Sequence, residues 1–421
     1  MNYVIIGGGV AALGAIDGIR SIDAKGAITL ITDEAFAPYS RPGISYWLSG
    51  KLADWGMPLR DEAFYREAGV TILTGTRAVS LDPKKKKVET DKAGTVSYDK
   101  LLIATGGTSI VPPIEGIQGA DMVFSFTTYN DALTISGKKE KIKRAVVVGG
   151  GLIGLKAAEA LNDIGIAVTV VELMDRIMSL AFDKTAGSLM EKRLAKSGIT
   201  VFTGDSVKAV ETKDGAISAA TLASGKKIET DAVVVAVGVK PNTALAAAAG
   251  IKINRGVLVD QYLMTSAGDI FAAGDVVEAY DLAAKDRRVT PILPNASRQG
   301  RQAGRNMAGA AESYEGGLPM NSIGFYGLSS VSVGLTNPPQ DAGYRVVTRL
   351  DEDCDIYRKL VFSDGRLVGA VLVGDVARAG IFFGLVRDGT PVTGLEERML
   401  STDFGHVHFE KEVRRERLKR S

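Results

Sequence analysis

The sequence predicts an α/β protein with two doubly wound halves and a smaller C-terminal α+β domain. Three observations carry this reading. A glycine turn opens the chain as GGGVAALGAI, Gly7 to Ile16, and a second opens GGGLIGLKAAEAL, Gly149 to Leu161. Beyond about residue 320 the pattern changes to short runs separated by tight turns, such as VSVGL, YRVVTRL and YRKLVFSDGRLVGAVLVGD. Those runs read as an antiparallel sheet followed by a helix.

Taken in order, residues 3 to 6 read as a strand, the glycines as a turn, Ala11 to Ser21 as a helix and Ala27 to Thr32 as a second strand. VSLDPKKKKVET, 79 to 90, reads as a hairpin with its lysines in solvent, and YDKLLIATGG, 98 to 107, as a strand ending in glycine. The first module then repeats: Arg144 to Val148 is a strand, Gly149 to Gly151 the turn, Leu152 to Ile164 a helix and Ala167 to Glu172 a strand. GKKIETDAVVVAVGVKPNT, 225 to 243, echoes the 98 to 107 run and ends its apolar stretch at Gly238. GDIFAAGDVVEA, Gly268 to Ala279, reads as one further buried strand. Two complete strand, glycine turn, helix, strand modules imply two dinucleotide sites.

Composition narrows the partners. The chain has 421 residues, 45% hydrophobic and 24% charged, 49 glycines and a formal net charge of +2. It is long enough for two or three domains, and no basic excess points to nucleic acid. No run of 18 apolar residues suggests a membrane span, and no charged and apolar leader precedes the first strand, so a cytoplasmic protein is expected. Cys354 is the only cysteine, which excludes an intrachain disulfide or dithiol pair, so any redox chemistry must ride on a cofactor. His406 and His408 cannot close a metal site alone, and no metal is expected. The tail from Glu410 to Ser421 alternates basic residues with Glu412 and Glu416, as a solvated helix or a docking segment would.

In the first turn Gly7 permits the bend, Gly9 lets backbone approach a pyrophosphate and the small Ala12 allows close helix packing. Asp33 and Glu34 follow the next strand, and either could accept bonds from ribose hydroxyls or simply start a loop. In the second turn Gly149, Gly151 and Gly154 have the full spacing, with Leu152 and Ile153 between them, and Glu172 closes the strand VTVVE. A carboxylate there suits the ribose of NAD and repels the 2′-phosphate of NADP, although Arg176 follows four residues on. Two dinucleotides with no catalytic cysteine suggest hydride exchange between a nicotinamide and a second bound redox cofactor, for which a flavin is suited.

These motifs resemble the FAD- and NAD-dependent pyridine nucleotide-disulfide oxidoreductase superfamily. GGGVAA at 7 to 12 is similar to its FAD pyrophosphate loop, LLIATGG at 101 to 107 (with Ala104, Thr105 and Gly106) to the return into the FAD domain, and IFAAGDV at 270 to 276 to its second FAD motif. The resemblance implies that Gly274 and Asp275 meet ribitol or phosphate oxygens. PYSRPGIS, 38 to 45, resembles the flavin-side segment of rubredoxin-reductase-like and nitrite-reductase-like branches, which carries over Arg41, Pro42 and Ser45. PNASRQGRQAGRNMAG, 294 to 309, resembles the helix covering the flavin, and implies that Gln299 and Gly300 approach it, with Arg301 and Arg305 as surface charge. The implied architecture is two Rossmann-like domains of the disulfide-reductase type: FAD-binding at 1–113 and 244–320, NAD-binding at 114–243, and a C-terminal α+β interface domain at 321–421.

The departures redirect the expected function. The CxxxxC pair of the disulfide reductases is absent, and serine stands near the cysteine position of the peroxidase and oxidase branch, at Ser45. What remains resembles flavoproteins that exchange electrons between NAD(H) and rubredoxin, ferredoxin or an iron-sulfur subunit. A narrower likeness is to the FAD subunit of phenylglyoxylate dehydrogenase-type 2-oxoacid oxidoreductases, which implies a thiamine diphosphate-dependent assembly elsewhere. A stand-alone NADH:rubredoxin or ferredoxin reductase or NADH oxidase, and a flavin-bound assembly subunit with an inactive nicotinamide site, are the alternatives. Lys156 bears on the second, because relatives place glutamate near the nicotinamide at this helix position. Its ammonium could serve the flavin side or a neighbouring acid, or its stem could reach solvent.

Overall fold

The computed structural model describes residues 1–213 and 215–420, with backbone alone for 416–420. The first sheet has five parallel strands in the order Ile270–Ala272, Lys100–Ile103, Asn2–Ile6, Ala27–Ile31 and Val70–Leu73. Tyr3 to Ile6 and Leu101 to Ile103 are buried on both faces, as near-continuous apolar runs in a parallel sheet must be. Helix Val10–Arg20 covers the sheet and is crossed at contact distance by helix Leu293–Met307. Glycines make that crossing possible from both sides. A Cβ on Gly14 would lie 2.4 Å from the Ser297 carbonyl oxygen, and one on Gly300 would lie 2.0 Å from that of Ala11. Gly300 therefore serves the helix crossing, where the resemblance implied an approach to the flavin.

The second sheet repeats the first in the order Thr200–Thr203, Ala167–Glu172, Arg144–Val148, Ala232–Val235 and Val123–Phe124, again parallel. Its glycine-turn helix runs Leu152–Asp163. The single strand expected over Gly268–Ala279 is instead two. Ile270–Ala272 ends before Gly274, whose φ of +84° turns the chain, and Val277–Asp281 joins a separate sheet with Val257–Leu258 and Asp286–Arg288. The expected hairpin forms from Ala78–Asp82 and Lys87–Thr90, but its lysines are not all solvated: Lys86 Nζ pairs with Asp269 at 2.6 Å.

The C-terminal sheet is antiparallel, in the order Met320–Phe325, Leu328–Gly334, Arg366–Val373, Ile356–Ser363 and Arg345–Asp351, with helix Ala379–Asp388 on one face. Its other face shares a core with the second module, where Phe325, Leu328, Tyr357 and Val371 meet Leu155, Ile177 and Phe182. Arg358, 1% exposed, ties the sheet to the following segment through Asp375 at 2.7 Å and the Ser401 carbonyl. The tail forms helix Lys411–Arg420, and Ser421 lies outside the described residues. Among the described residues no helix is long and apolar enough to cross a membrane.

Candidate functional site

The two glycine turns share the same backbone contacts at their first and third glycines. Gly7 N–H donates to the Ile31 carbonyl and Gly149 N–H to that of Val171, each at 2.8 Å. A Cβ on Gly7 (φ +115°) would sit 2.1 Å from the Ala104 carbonyl oxygen, and one on Gly149 (φ +109°) 2.5 Å from that of Ala236. Both positions therefore demand glycine. Gly9 and Gly151 cap their helices with no side-chain bond, and a Cβ at either would meet nothing within 4 Å. Two uncapped helix N-termini with open space before them suit two pyrophosphates.

The copies differ where the sequence could not show it. By backbone register Thr32, rather than Asp33 or Glu34, occupies the place of Glu172: a Cβ on Gly8 would meet Thr32 Oγ1 at 2.7 Å, and one on Gly150 would meet Glu172 Cβ at 3.0 Å. Asp33 is exposed, while Glu34 accepts bonds from Tyr39 Oη and the Arg41 guanidinium. Glu172 is oriented by Gly150 N–H at 2.5 Å and Met174 N–H at 2.8 Å. Ala12 is fully buried and fits its turn, whereas a Cβ on Gly154 would lie 1.9 Å from the Gly149 carbonyl oxygen.

Arg176 is committed elsewhere. It donates to Asp175 Oδ1 at 2.6 Å, to the Phe182 carbonyl at 2.9 Å and to that of Ser179 at 3.4 Å. The guanidinium holds its own loop.

The 38–45 segment is clamped between the modules. Arg41 donates to the Thr127 carbonyl at 2.9 Å, and Tyr39 Oη accepts from Tyr129 N–H at 2.9 Å. Pro42 caps the short helix Gly43–Leu48, and buried Ser45 donates to the Pro42 carbonyl at 3.2 Å. Asp275 follows Gly274 with a recessed carboxyl that takes no hydrogen bond among the described residues. Burial pushes its pKa above the ordinary carboxylate value, and the Arg41 charge opposes that rise. Gln299 Oε1 accepts from Gly274 N–H at 2.9 Å and so fixes the turn carrying Asp275. A recessed carboxylate with spare acceptor capacity suits the hydroxyls of the FAD polyol, and the open glycine cradle suits its phosphates.

Lys156 neither points to solvent nor stands alone. Its Nζ lies 2.6 Å from Glu159 Oε2, donates to the Gly324 carbonyl at 2.8 Å and sits 5.1 Å and 4.8 Å from the ring centroids of Tyr46 and Phe325. Of the expected alternatives, the neighbouring acid is the one found. Thr127 escaped the sequence reading, because no periodic or spacing signal marks an isolated polar residue in a loop, and Tyr39 stood inside PYSRPGIS without a role assigned to it. Cys354 is exposed in a turn of the C-terminal sheet. His408 Nε2 lies 2.8 Å from Arg398, and among the described residues no group of three or more metal-ligating side chains gathers.

Comparison with known proteins gives this geometry a family. Residues 1–300 match the family described as "Pyridine nucleotide-disulphide oxidoreductase", and residues 319–390 match "Rubredoxin NAD+ reductase C-terminal domain". The chain is 36% identical to the epsilon subunit of NADH-dependent phenylglyoxylate dehydrogenase of Aromatoleum evansii, over 95% of this chain and 94% of that one. It is 33% identical to rhodocoxin reductase of Rhodococcus erythropolis, over 96% and 93% of the two chains. The ferredoxin reductase for the CYP199A2 system of Rhodopseudomonas palustris superposes with a TM-score of 0.88 at 27% identity, over 96% and 98%. With its paired glycine turns and its two matched segments, the chain belongs to the pyridine nucleotide-disulphide oxidoreductase family, as an NAD(H)-dependent flavin oxidoreductase that uses FAD and NAD.

Proposed function

We propose that this chain is an electron-transfer flavoprotein subunit that exchanges electrons between NAD(H) and an iron-sulfur protein or subunit. One observation carries the choice. The flavin-side position that a thiol would need is filled by Ser45, whose hydroxyl is turned onto the Pro42 carbonyl, and the only cysteine is exposed in the C-terminal sheet. With no sulfur of its own to reduce, the chain must hand electrons to another molecule. The likeness to the phenylglyoxylate dehydrogenase epsilon subunit, nearly end to end in both chains, supports a place in a 2-oxoacid dehydrogenase assembly whose thiamine diphosphate chemistry resides in other subunits, with NAD⁺ reduced here.

In this reading Gly7, Gly9 and Ala12 cradle the FAD pyrophosphate on the helix N-terminus, the exposed Asp33 just past Thr32 faces the ribose while Glu34 stays with Tyr39 and Arg41, and Ala104 to Gly106 with Gly274 and Asp275 hold the rest of the cofactor. Arg41, Pro42, Ser45 and Gln299 border the flavin ring. Gly149, Gly151, Leu152, Ile153 and Gly154 receive the NAD pyrophosphate, Glu172 accepts from its ribose hydroxyls, and Gly238 lets backbone pass close by. The commitment of Arg176 to Asp175, Ser179 and Phe182 keeps its guanidinium from a 2′-phosphate, and the Glu172 carboxylate repels one, so NAD is preferred over NADP. Bound FAD supplies the exchange between two-electron hydride chemistry and single-electron transfer. What the protein contributes is position: two rings held in reach need no side-chain acid or base for hydride transfer.

The test is anaerobic addition of NADH to the purified FAD-loaded chain, followed by oxygen or an oxidised iron-sulfur protein, and in the reverse direction addition of a reduced iron-sulfur protein and then NAD⁺. Bleaching of the flavin by NADH, slow reoxidation by oxygen and fast reoxidation by an iron-sulfur acceptor are expected. A flavin that NADH leaves oxidised, or that turns over rapidly with oxygen alone, would sink the proposal.

A further inference from the structure

The two modules can be laid on each other from their first glycines, and Lys156 then falls on Gly14, each seven residues into its copy. In the first copy that helix face receives helix Leu293–Met307 at backbone contact. In the second copy the same face receives the Gly324–Tyr326 turn of the C-terminal sheet and the 46–51 segment of the flavin side. Four residues on one face of helix Leu152–Asp163 make the joint. Lys156 meets the Gly324 carbonyl at 2.8 Å and Glu159 at 2.6 Å. Glu159 Oε1 accepts from Tyr326 N–H at 3.4 Å, and Asn162 Nδ2 donates to Tyr326 Oη at 3.0 Å. Asp163 pairs with Lys51 at 2.7 Å, and Lys51 N–H itself donates to the Tyr46 carbonyl at 2.8 Å.

The side chains of Lys156 and Glu159 are only 17% and 11% exposed, so the pair is shielded from water and screened little by salt. Removing one partner of such a pair leaves the other charge uncompensated. The ammonium also lies against two ring faces, Tyr46 from the flavin-side helix and Phe325 from the C-terminal sheet. One side chain thus touches all three bodies whose spacing hydride transfer depends on.

We propose that Lys156 is a positioning residue, which fixes the Arg41–Tyr46 segment and the Gly324–Tyr326 turn to the helix that receives NAD, and does so without touching the nicotinamide. The proposal rests on the functional reading above. Tyr46 is next in chain to Ser45, so a shift of its ring moves the segment bordering the flavin. Misplacement by about 1 Å can slow a positioned reaction by as much as roughly a hundredfold.

The experiment compares the FAD-loaded parent with Lys156→Met, which keeps the stem between the rings, and Lys156→Arg, which keeps the charge. Three quantities are read: the Kd for NADH, the single-turnover rate of flavin bleaching, and amide hydrogen exchange across 43–51 and 320–328. The expected result for Lys156→Met is an NADH Kd within about twofold of the parent, bleaching slowed at least about tenfold, and lost protection in both segments, with Lys156→Arg restoring all three. Unchanged exchange in both segments overturns the proposal, as does slowed bleaching explained by weakened NADH binding alone. Should Lys156→Met not fold, Glu159→Gln carries the same comparison, since it removes the charge that orients the ammonium. Failure of the functional reading looks different: the parent itself would not bleach with NADH.

Discussion

Thr105 and Asn242 exchange a reciprocal pair of hydrogen bonds across the boundary between the two modules: Thr105 Oγ1 donates to the Asn242 carbonyl, and Asn242 Nδ2 to that of Thr105, each at 2.9 Å. Thr108 Oγ1 adds a bond to Asn242 Oδ1 at 2.6 Å, and the adjoining segments Gly107–Ser109 and Val239–Pro241 pair as a two-stranded antiparallel sheet. The segments that follow the strands Lys100–Ile103 and Ala232–Val235 of the two parallel sheets are thus held against one another where the chain crosses between the modules.

Asn242→Ala removes two of these side-chain bonds and leaves the backbone pairing. At about 1 kcal/mol each, the loss should lower unfolding stability by roughly 1–3 kcal/mol. Flavin bleaching by NADH should slow as well, because the spacing of the two sites relaxes. Denaturant titration and stopped-flow absorbance check both. A normal bleaching rate in a destabilised variant would mean that this joint holds the fold and not the spacing.

Gly151 and Gly154 separate cradle from scaffold. At Gly154 an added Cβ lies 1.9 Å from backbone, so Gly154→Ala must displace the turn and should lose stability and NADH affinity together. At Gly151 the same methyl meets nothing within 4 Å, so Gly151→Ala should keep the parental melting temperature yet bind NADH at least about tenfold more weakly, because the methyl fills the space meant for pyrophosphate. FAD content should be parental in both. Parental NADH binding by Gly151→Ala would remove the cradle from that position.

How far the sequence could be read follows from these positions. The glycine turns and their strands were legible because backbone geometry leaves so little choice: positive φ and sub-van-der-Waals approach at Gly7 and Gly149 exclude every other residue. The split at Gly274 was hidden, since an apolar run on either side of one glycine looks the same whether the chain goes straight or turns. The place equivalent to Glu172 was also hidden. It lies 23 residues after Gly149 (172 − 149), but Thr32 lies 25 after Gly7 (32 − 7), because the loops after the two helices differ in length. The contacts of Lys156 were beyond reach for another reason, as Gly324 and Phe325 are more than 160 residues away in sequence (324 − 156 = 168).

Discrimination between dinucleotides should follow Glu172. Hydrogen bonds to a charged acceptor contribute about 1.5–3 kcal/mol, so Glu172→Ala should weaken NADH by roughly ten- to a hundredfold. NADPH, which the carboxylate repels, should change little or improve. Titration of flavin bleaching with each nucleotide measures both. Because Glu172 also receives Gly150 N–H and Met174 N–H, Glu172→Gln, which keeps an acceptor at that place, should fall between the two. Arg176→Ala should not alter the NADPH response, as its guanidinium already serves the Ser179 and Phe182 carbonyls.

Asp275 ties cofactor binding to pH. Its carboxyl sits above its ordinary value chiefly because burial disfavours the charge, with the Arg41 charge opposing. In the unfolded chain the group ionises near its ordinary value of about 3.9, so as pH rises past that point the unfolded state releases its proton before the folded state does. Folding stability of the cofactor-free protein from this group therefore falls with rising pH until the folded carboxyl also ionises, and stays reduced above. Asp275→Asn abolishes that term. The cofactor-free variant should melt higher than the cofactor-free parent at neutral pH, and the gap should close as the pH is lowered through the carboxylate range. The same substitution replaces one of the two acceptor oxygens that FAD is proposed to meet by an amide donor and removes the charge, so it should retain FAD less well on dialysis and gain less melting temperature when FAD is added. Melting curves with and without FAD across pH 4 to 8 decide it. A variant that melts below the parent at neutral pH without FAD would show that the carboxylate supports the fold, and one that gains the parental increment from FAD would show that Asp275 is not among the groups that hold it.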